Sequence, residues 1–303
     1  MVYDIIIIGS GFAGMTAALY AARNGMKTVV FEKYFAGGQI INTVNVENYP
    51  GFKSISGFDL AEKLKSQVMS FGIDIKNEEI VDVNFNDVNK VIQTKKGEYI
   101  SKTVIVSVGC ISRKMGCQNE DAFEGKGISY CATCDGHFFK DKDVCVVGGG
   151  NTALEDAIYL SGICKTVYVV HRRDEFRGDT KTVEVLENKK NVKFILDSEI
   201  ISVSGTNFLE YVTVKNKKTT EETKIPVNGV FVAIGQIPST EIFADVLELD
   251  GNGYIVSNEN CTTNIPGIFV AGDVRTKKLR QLITAAADGA VSASEAAEYI
   301  SRL

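Results

Sequence analysis

Ile5-Ile6-Ile7-Ile8-Gly9-Ser10-Gly11-Phe12-Ala13-Gly14 is the stretch on which the fold turns. Four isoleucines make an apolar run of strand length, and the segment that follows, Met15 to Arg23, is rich in helix formers. Between them, Gly9-x-Gly11-x-x-Gly14 permits a tight turn and close backbone approach, with a helix N-terminus aimed at a pyrophosphate. Such a pattern alone also occurs as an incidental glycine turn. The next apolar run, Thr28 to Phe31, ends in Glu32, twenty-three residues after Gly9, where a carboxylate can accept from ribose hydroxyls. Strand, glycine turn, helix and acid-ended strand together read as a Rossmann unit.

The arrangement repeats with one change. An apolar run, Val144 to Val147, enters Gly148-x-Gly150-x-x-Ala153, followed by a helical stretch from about Thr152 to Ser161 and a strand, Val167 to Val170. The same twenty-three residues counted from Gly148 reach His171, then Arg172, Arg173 and, shortly after, Arg177. Guanidinium groups bind a 2′-phosphate bidentately where a carboxylate repels it, so this site is expected to prefer NADPH to NADH. A solvated charge cluster after a strand is the alternative.

Just ahead of the second turn stands Cys131-Ala132-Thr133-Cys134-Asp135. Two cysteines at this spacing can close a disulfide at a helix N-terminus, where the dipole and nearby N–H groups favour a thiolate. Half of a structural zinc site is the competing interpretation. It needs two more ligands, and the chain offers no second CxxC and only His137 and His171, so no metal is expected. Cys110, Cys117, Cys145, Cys164 and Cys261 match no motif and are expected to be ordinary packed thiols.

Two nucleotide sites and a dithiol in one chain resemble the low-molecular-weight thioredoxin reductases. The resemblance is carried in order by Gly9 to Gly14, Gly38-Gln39, Glu47-Asn48-Tyr49-Pro50-Gly51, Cys131 to Asp135, Gly148 to Ala153, His171 to Arg177, Ala233-Ile234-Gly235, Gly272-Asp273 and Arg280-Gln281. It implies an α/β fold of two Rossmann-like domains, with an NADPH domain (114–243) inserted into a discontinuous FAD domain (1–113 and 244–303). The two crossings would then make a double hinge, letting the dithiol face the flavin and the substrate in turn. In the first domain the implied cofactor-binding residues are Gly9, Ser10, Gly11, Phe12, Ala13, Gly14, Glu32, Lys33, Gly38, Gln39, Asn48, Ile80, Gly109, Gly272, Asp273, Arg280, Gln281 and Leu282. In the second they are Gly148, Gly150, Asn151, Thr152, Ala153, His171, Arg172, Arg173, Arg177, Ile234 and Gly235. Asp273 is expected to accept from a ribityl hydroxyl, and the helix opening near Arg280-Gln281 to face the flavin pyrimidine edge.

The reaction so implied runs from NADPH through FAD to the Cys131–Cys134 pair, with Cys134 nearest the flavin, Asp135 as proton donor and thioredoxin as acceptor. Thioredoxin is expected to dock near Lys126 and Phe138, and the chain to be a homodimer. Other acceptors remain open: another small dithiol protein, or oxygen in a flavin NAD(P)H oxidase that needs no dithiol. A flavoprotein that senses redox state without turnover is a further alternative. Departures from the family pattern are Phe12 in place of a frequent proline, Ser107 to Cys110 in place of a Thr-Gly pair, and His137 in place of an aromatic residue.

Composition agrees. With 303 residues and 45% hydrophobic content, the chain is long enough for two buried cores. A net charge of −5 argues against a nucleic-acid partner. Runs such as Ile5 to Ile8 and Val104 to Val108 are too short to span a bilayer, and Asp4 interrupts any signal sequence. Seven cysteines without an export signal point to a reducing compartment, the cytoplasm. The short stretch after Gly289 is expected to leave no C-terminal dimerisation domain, unlike the larger disulfide reductases.

Overall fold

The computed structural model describes residues 2–303 apart from 44 and 87. It divides into two compact units: 1–111 with 237–303, and 112–236. The chain therefore leaves the first unit after Ile111 and returns to it at Ile237.

The first unit opens β1 (Val2–Ile8), α1 (Phe12–Arg23), β2 (Thr28–Glu32), with α2 (Gly57–Ser70) and β3 (Asp74–Asn77) after it. Ser56 caps α2, its hydroxyl accepting from Asp59 N at 3.0 Å. An antiparallel excursion follows: β4 (Ile80–Asn84), β5 (Lys90–Thr94) and the long β6 (Glu98–Val106). β6 is long because it pairs with β5 from Glu98 to Ser101 and with β1 from Ile100 to Val106. β7 (Cys110–Ser112) carries the chain out.

The second unit contains α3 (Glu120–Phe123), β8 (Ile128–Ser129), α4 (Ala132–Asp135), β9 (Asp143–Val147), α5 (Asn151–Ser161), β10 (Thr166–Val170), α6 (Thr180–Glu187) and β11 (Val192–Ile195). An antiparallel sheet of β12 (Ser198–Gly205), β13 (Leu209–Asn216) and β14 (Glu222–Pro226) precedes β15 (Gly229–Val232). β16 (Gln236–Pro238) leads back, and the first unit closes with β17 (Ile268–Val270) and α7 (Leu282–Ser301).

Each unit is built on five parallel strands. In the first, β3-β2-β1-β6 is continued by β17, which lies parallel to the second half of β6. In the second the order is β11-β10-β9-β15-β8, parallel throughout. Both sheets are covered on both faces, so their strands read as continuous apolar runs. Ile5, Ile7, Val30 and Ile105 pack on the alanines of α1 and α7, while Ile6, Ile8, Val29 and Phe31 pack towards Phe85, Ile92 and Phe243. Val144, Val146 and Val169 meet Leu154 and Leu160 of α5, and Cys145, Val230 and Val232 meet the antiparallel sheet through Ile200, Val203 and Val212. Each such side chain contributes about 1.5–3 kcal/mol relative to exposure. Among the described residues no helix is long and apolar enough to cross a membrane.

Candidate functional site

In the first turn, Gly9 has φ +101°, and a Cβ there would lie 2.5 Å from Ser107 O. Gly14 brings α1 so close that its Cβ would lie 1.9 Å from Gly9 O. Gly11 caps α1 with extended backbone and no side-chain bond, leaving the first-turn N–H groups available to an anion. Glu32 reaches back to this turn, accepting from Ser10 N at 2.9 Å and Ser10 Oγ at 2.7 Å. Ser10 and Glu32 thus form one polar unit at the ends of adjacent strands. Beside Glu32 opens a crevice of about 280 Å³ lined by Tyr34, Phe35, Lys65 and Met69.

Gly38 packs against Gly11, where a Cβ would lie 2.9 Å from Gly11 Cα. Gln39 Nε2 donates closely to Cys110 O, and Asn48 Nδ2 donates to Gln281 Oε1 at 3.0 Å. Phe12 is buried edge-on against Tyr49, with Leu282 in the same cluster. Gly109 has φ +69° in the link between β6 and β7. Two expected residues stand apart from these contacts. Lys33 pairs with Glu79 at 2.6 Å, and Ile80 faces the hydrophobic core rather than the crevice.

After β17 the chain turns at Gly272, φ +82°, and presents Asp273. Asp273 Oδ1 is buried and, among the described residues, has no hydrogen-bond partner. Burial raises its carboxyl above the ordinary range. An unpartnered buried carboxylate oxygen is costly, and a hydroxyl donor removes that cost. The Asp273 carbonyl is already engaged, by Cys110 Sγ at 2.9 Å and Arg280 Nε at 3.2 Å. Arg280 also lies 4.0 Å over the Tyr254 ring, and Gln281 caps α7 in a capping box with Thr284. This cradle of helix N-termini, acid and orphaned acceptor fits a flavin dinucleotide with a polyhydroxyl chain.

Sequence reasoning missed what braces Asp273. Asp288 of α7 is buried and accepts from Gly272 N at 3.0 Å, Arg275 NH1 at 3.0 Å and Lys277 Nζ at 2.6 Å. Arg275 and Lys277 look like surface charges in the sequence, and nothing there separated Asp288 from the other acids of the same helix, Glu295 and Glu298.

The second turn repeats the first. Gly148 has φ +151° and would place a Cβ 2.4 Å from Ala233 O, while Gly150 caps α5 facing open space. Asn151 Oδ1 accepts from Asp179 N at 2.8 Å, Thr152 is exposed and Ala153 is buried. Ile234 is exposed, and Gly235, φ +101°, accepts through its carbonyl from Arg113 N at 3.0 Å. Arg172, Arg173 and Arg177 are exposed and, among the described residues, make no ion pair. His171, expected beside them, is buried instead, because its ring occupies the space that Gly149 leaves.

Cys131 and Cys134 are joined in a disulfide with Cα atoms 5.3 Å apart, and Cys131 is the N-cap of α4. Cys131 N donates to Ser129 Oγ at 3.1 Å, and Ser129 Oγ donates to Asp135 Oδ2 at 2.6 Å. Burial raises the Asp135 carboxyl, opposed by that hydrogen bond. A carboxyl that holds its proton beside a disulfide can deliver it to a leaving thiolate. Lys126, in the loop before β8, and Phe138 and His137, in the turn after α4, are exposed. The other five thiols are free, and burial raises each, Cys110 and Cys261 to about 12, Cys117 and Cys164 to about 11. Cys145, wholly enclosed in β9, is pushed further still.

Residues 3–289 match the pyridine nucleotide-disulphide oxidoreductase family. The chain is 44% identical over 306 residues to the thioredoxin reductase of Peptoclostridium acidaminophilum, covering 99% of this chain and 97% of that one. It is also 44% identical over 298 residues to the 34.2 kDa protein in rubredoxin operon of Clostridium pasteurianum, covering 98% and 97% respectively. The crystal structure of thioredoxin reductase from Streptococcus pyogenes superposes with a TM-score of 0.95 at 40% identity, over 100% of this chain and 99% of that one. With two glycine turns, a disulfide and these relatives along its whole length, the chain belongs to the pyridine nucleotide-disulphide oxidoreductase family, among the low-molecular-weight thioredoxin reductases that use flavin and nicotinamide.

Proposed function

We propose that the chain is a thioredoxin-disulfide reductase that takes electrons from NADPH and passes them, with bound FAD, to the Cys131–Cys134 disulfide and on to thioredoxin. The observation that carries this is the disulfide itself, adjacent to Asp135, whose carboxyl burial raises, in the same compact unit as the second glycine turn and its three arginines, which make no ion pair among the described residues.

Residues 1–113 and 244–303 would hold FAD. The N–H groups of α1 face its pyrophosphate, Glu32 and Ser10 its ribose, and Asp273 a ribityl hydroxyl. When bound, FAD supplies a two-electron relay between nicotinamide and disulfide. Residues 114–243 would hold NADPH, with the amides of Gly148 to Ala153 on the pyrophosphate and Arg172, Arg173 and Arg177 on the 2′-phosphate. One hydride from NADPH and one proton convert the disulfide to two thiols and leave NADP⁺. As the S–S bond breaks, Asp135 donates its proton to the departing thiolate. One thiolate of the pair then attacks the thioredoxin disulfide. The Cys131–Cys134 bond re-forms as the mixed disulfide resolves, and two thiols leave on thioredoxin. Lys126 and Phe138 flank the dithiol segment in sequence, and a basic and an aromatic side chain exposed there suit a docking surface. Function as a homodimer in the cytoplasm completes the proposal.

The test is anaerobic NADPH oxidation by the flavin-loaded protein with thioredoxin and a terminal disulfide, beside Cys134→Ser. Cys134→Ser should retain its flavin and lose about 10³-fold or more of thioredoxin-dependent turnover. Turnover that persists in Cys134→Ser once oxygen is admitted, indifferent to thioredoxin, would mean an oxidase instead.

A further inference from the structure

His171 follows β10 directly where Glu32 is the last residue of β2, and it does something different. The residue is 7% exposed. A Cβ on Gly149 would lie 2.2, 2.3 and 2.5 Å from its Cε1, Nδ1 and Nε2, so the imidazole fills the notch left by the bare α-carbon of that glycine. On its other side it stacks on Phe176 at 5.3 Å, and Phe176 meets Phe194 edge-on at 5.1 Å. His171 Nε2 lies 3.1 Å from Glu175 O. A carbonyl only accepts, so the Nε2 nitrogen carries the proton and donates. Burial, aided by the neighbouring guanidinium groups and opposed by the bond to Glu175 O, lowers the pKa of the ring.

The segment that His171 grips is the one bearing the arginines. Gly149 O accepts from Arg177 N at 2.7 Å and from Gly178 N at 3.2 Å. Asp197 N donates to Arg173 O at 3.0 Å, and Asp179 N to Asn151 Oδ1 at 2.8 Å. The glycine turn and the loop 172–179 are thus clasped together around one imidazole. The guanidinium groups remain exposed and unpaired by acids among the described residues.

We propose that His171 is the positioning residue for dinucleotide choice: wedged between Gly149 and Glu175 O, it presents Arg172, Arg173 and Arg177 as a preformed set to the 2′-phosphate without touching the phosphate itself. This rests on those arginines being the 2′-phosphate site. Preorganisation matters here because three long side chains on a loose loop lose freedom on binding, whereas a loop already fixed to the pyrophosphate turn holds their spacing.

The experiment compares flavin-loaded wild type, His171→Ala, His171→Gln, Gly149→Ala and Arg172→Ala. It measures KM and kcat with NADPH and with NADH, and calorimetric binding of adenosine 2′,5′-bisphosphate and of adenosine 5′-monophosphate. His171→Ala should raise the NADPH KM about tenfold and weaken the bisphosphate similarly, with kcat, the NADH KM and monophosphate binding within about twofold. His171→Gln, which can still donate to Glu175 O, should recover most of the loss. Gly149→Ala evicts the ring from within the glycine turn and is read as the ratio of NADPH to NADH KM, which should shift as in His171→Ala whatever the turn itself loses; that ratio decides the matter should His171→Ala not fold. Equal losses for NADPH and NADH, or none, in both His171→Ala and Gly149→Ala would reduce the ring to packing and overturn the inference. If Arg172→Ala collapses the NADPH preference in that case, the phosphate site stands and only the role of His171 fails. An unchanged preference in Arg172→Ala removes the phosphate site and the inference together.

Discussion

β17 and β8 occupy the same place in their sheets, each parallel to the strand beside the nucleotide-turn strand, and each delivers a half-buried acid beyond its C-terminal end. After β17 the acid is Asp273; after β8 it is Asp135, with the disulfide between strand and acid. The parallel pairing puts these loops on the same edge of each sheet as the glycine turn, where α/β sheets bind ligands. β17 comes last in its unit and β8 first, so the two units differ in chain order while sharing a sheet. What separates them chemically is the environment of the acid. Asp135 is satisfied internally by Ser129, whereas Asp273 has an oxygen that finds no donor among the described residues. Both carboxyls are raised by burial, so the difference is one of hydrogen bonding, and it suits one acid to moving a proton and the other to holding a ligand.

Of the two acids, Asp135→Asn gives the larger effect. It keeps shape and removes the proton, so thioredoxin-dependent turnover should fall about 10²-fold while flavin content is unchanged. The pH profile adds a sign. The folded carboxyl titrates above its ordinary value, so the acid is protonated at low pH and the wild-type rate declines as pH rises through the folded pKa. The Asn variant should lack that limb. Stability follows the same direction: below the ordinary carboxylate pKa the group is neutral in both states, and rising pH through the folded pKa costs stability in the wild type alone. A variant with normal turnover and the wild-type limb would leave Asp135 no role as donor.

Asp273→Asn should act on binding instead. The charge-assisted bond from a ribityl hydroxyl becomes a neutral one, weakening FAD by about tenfold in fluorescence titration of the apoprotein. Removing a buried charge should at the same time stabilise the apoprotein. Weaker FAD on a more stable apoprotein separates a ligand-holding acid from a packing residue, for which both quantities would fall. Unchanged affinity would break the contrast with Asp135.

Much of this was legible in the sequence because backbone demands leave few residue choices. The glycines at 9, 14 and 148 are set by approaches no Cβ tolerates, and the strand-turn-helix pattern around them followed from hydrophobic runs. The equivalence of β8 and β17 was not legible, since a two-residue strand carries no periodicity and pairing partners are set by tertiary contacts. Nor was the antiparallel sheet β12-β13-β14, whose place over Val230 and Val232 depends on which faces meet. His171 misled because its offset matched Glu32 while its direction did not: at the first turn the side chain reaches Ser10, and at the second it fills the hollow beneath Gly149. Asp288 was hidden by distance, since its cations lie on a loop that only folding brings to α7.

The smallest effect sharpens the likeness of the two turns themselves. The third position of each fingerprint is Gly14 in one and Ala153 in the other. At Gly14 a methyl would lie 1.9 Å from Gly9 O, so α1 has no room for it. At the second turn the Ala153 methyl fits because Gly148 has no side chain: a Cβ on Gly148 would be 2.7 Å from it. The methyl therefore fills a hollow in a helix that does not need the closest approach. Ala153→Gly should cost about 1 kcal/mol, from lost helix propensity and lost contact, with the NADPH KM within about twofold. Urea unfolding beside steady-state kinetics checks both. A large rise in the NADPH KM at unchanged stability would show that the methyl shapes the pyrophosphate turn, and that the two turns are less alike than their backbones imply.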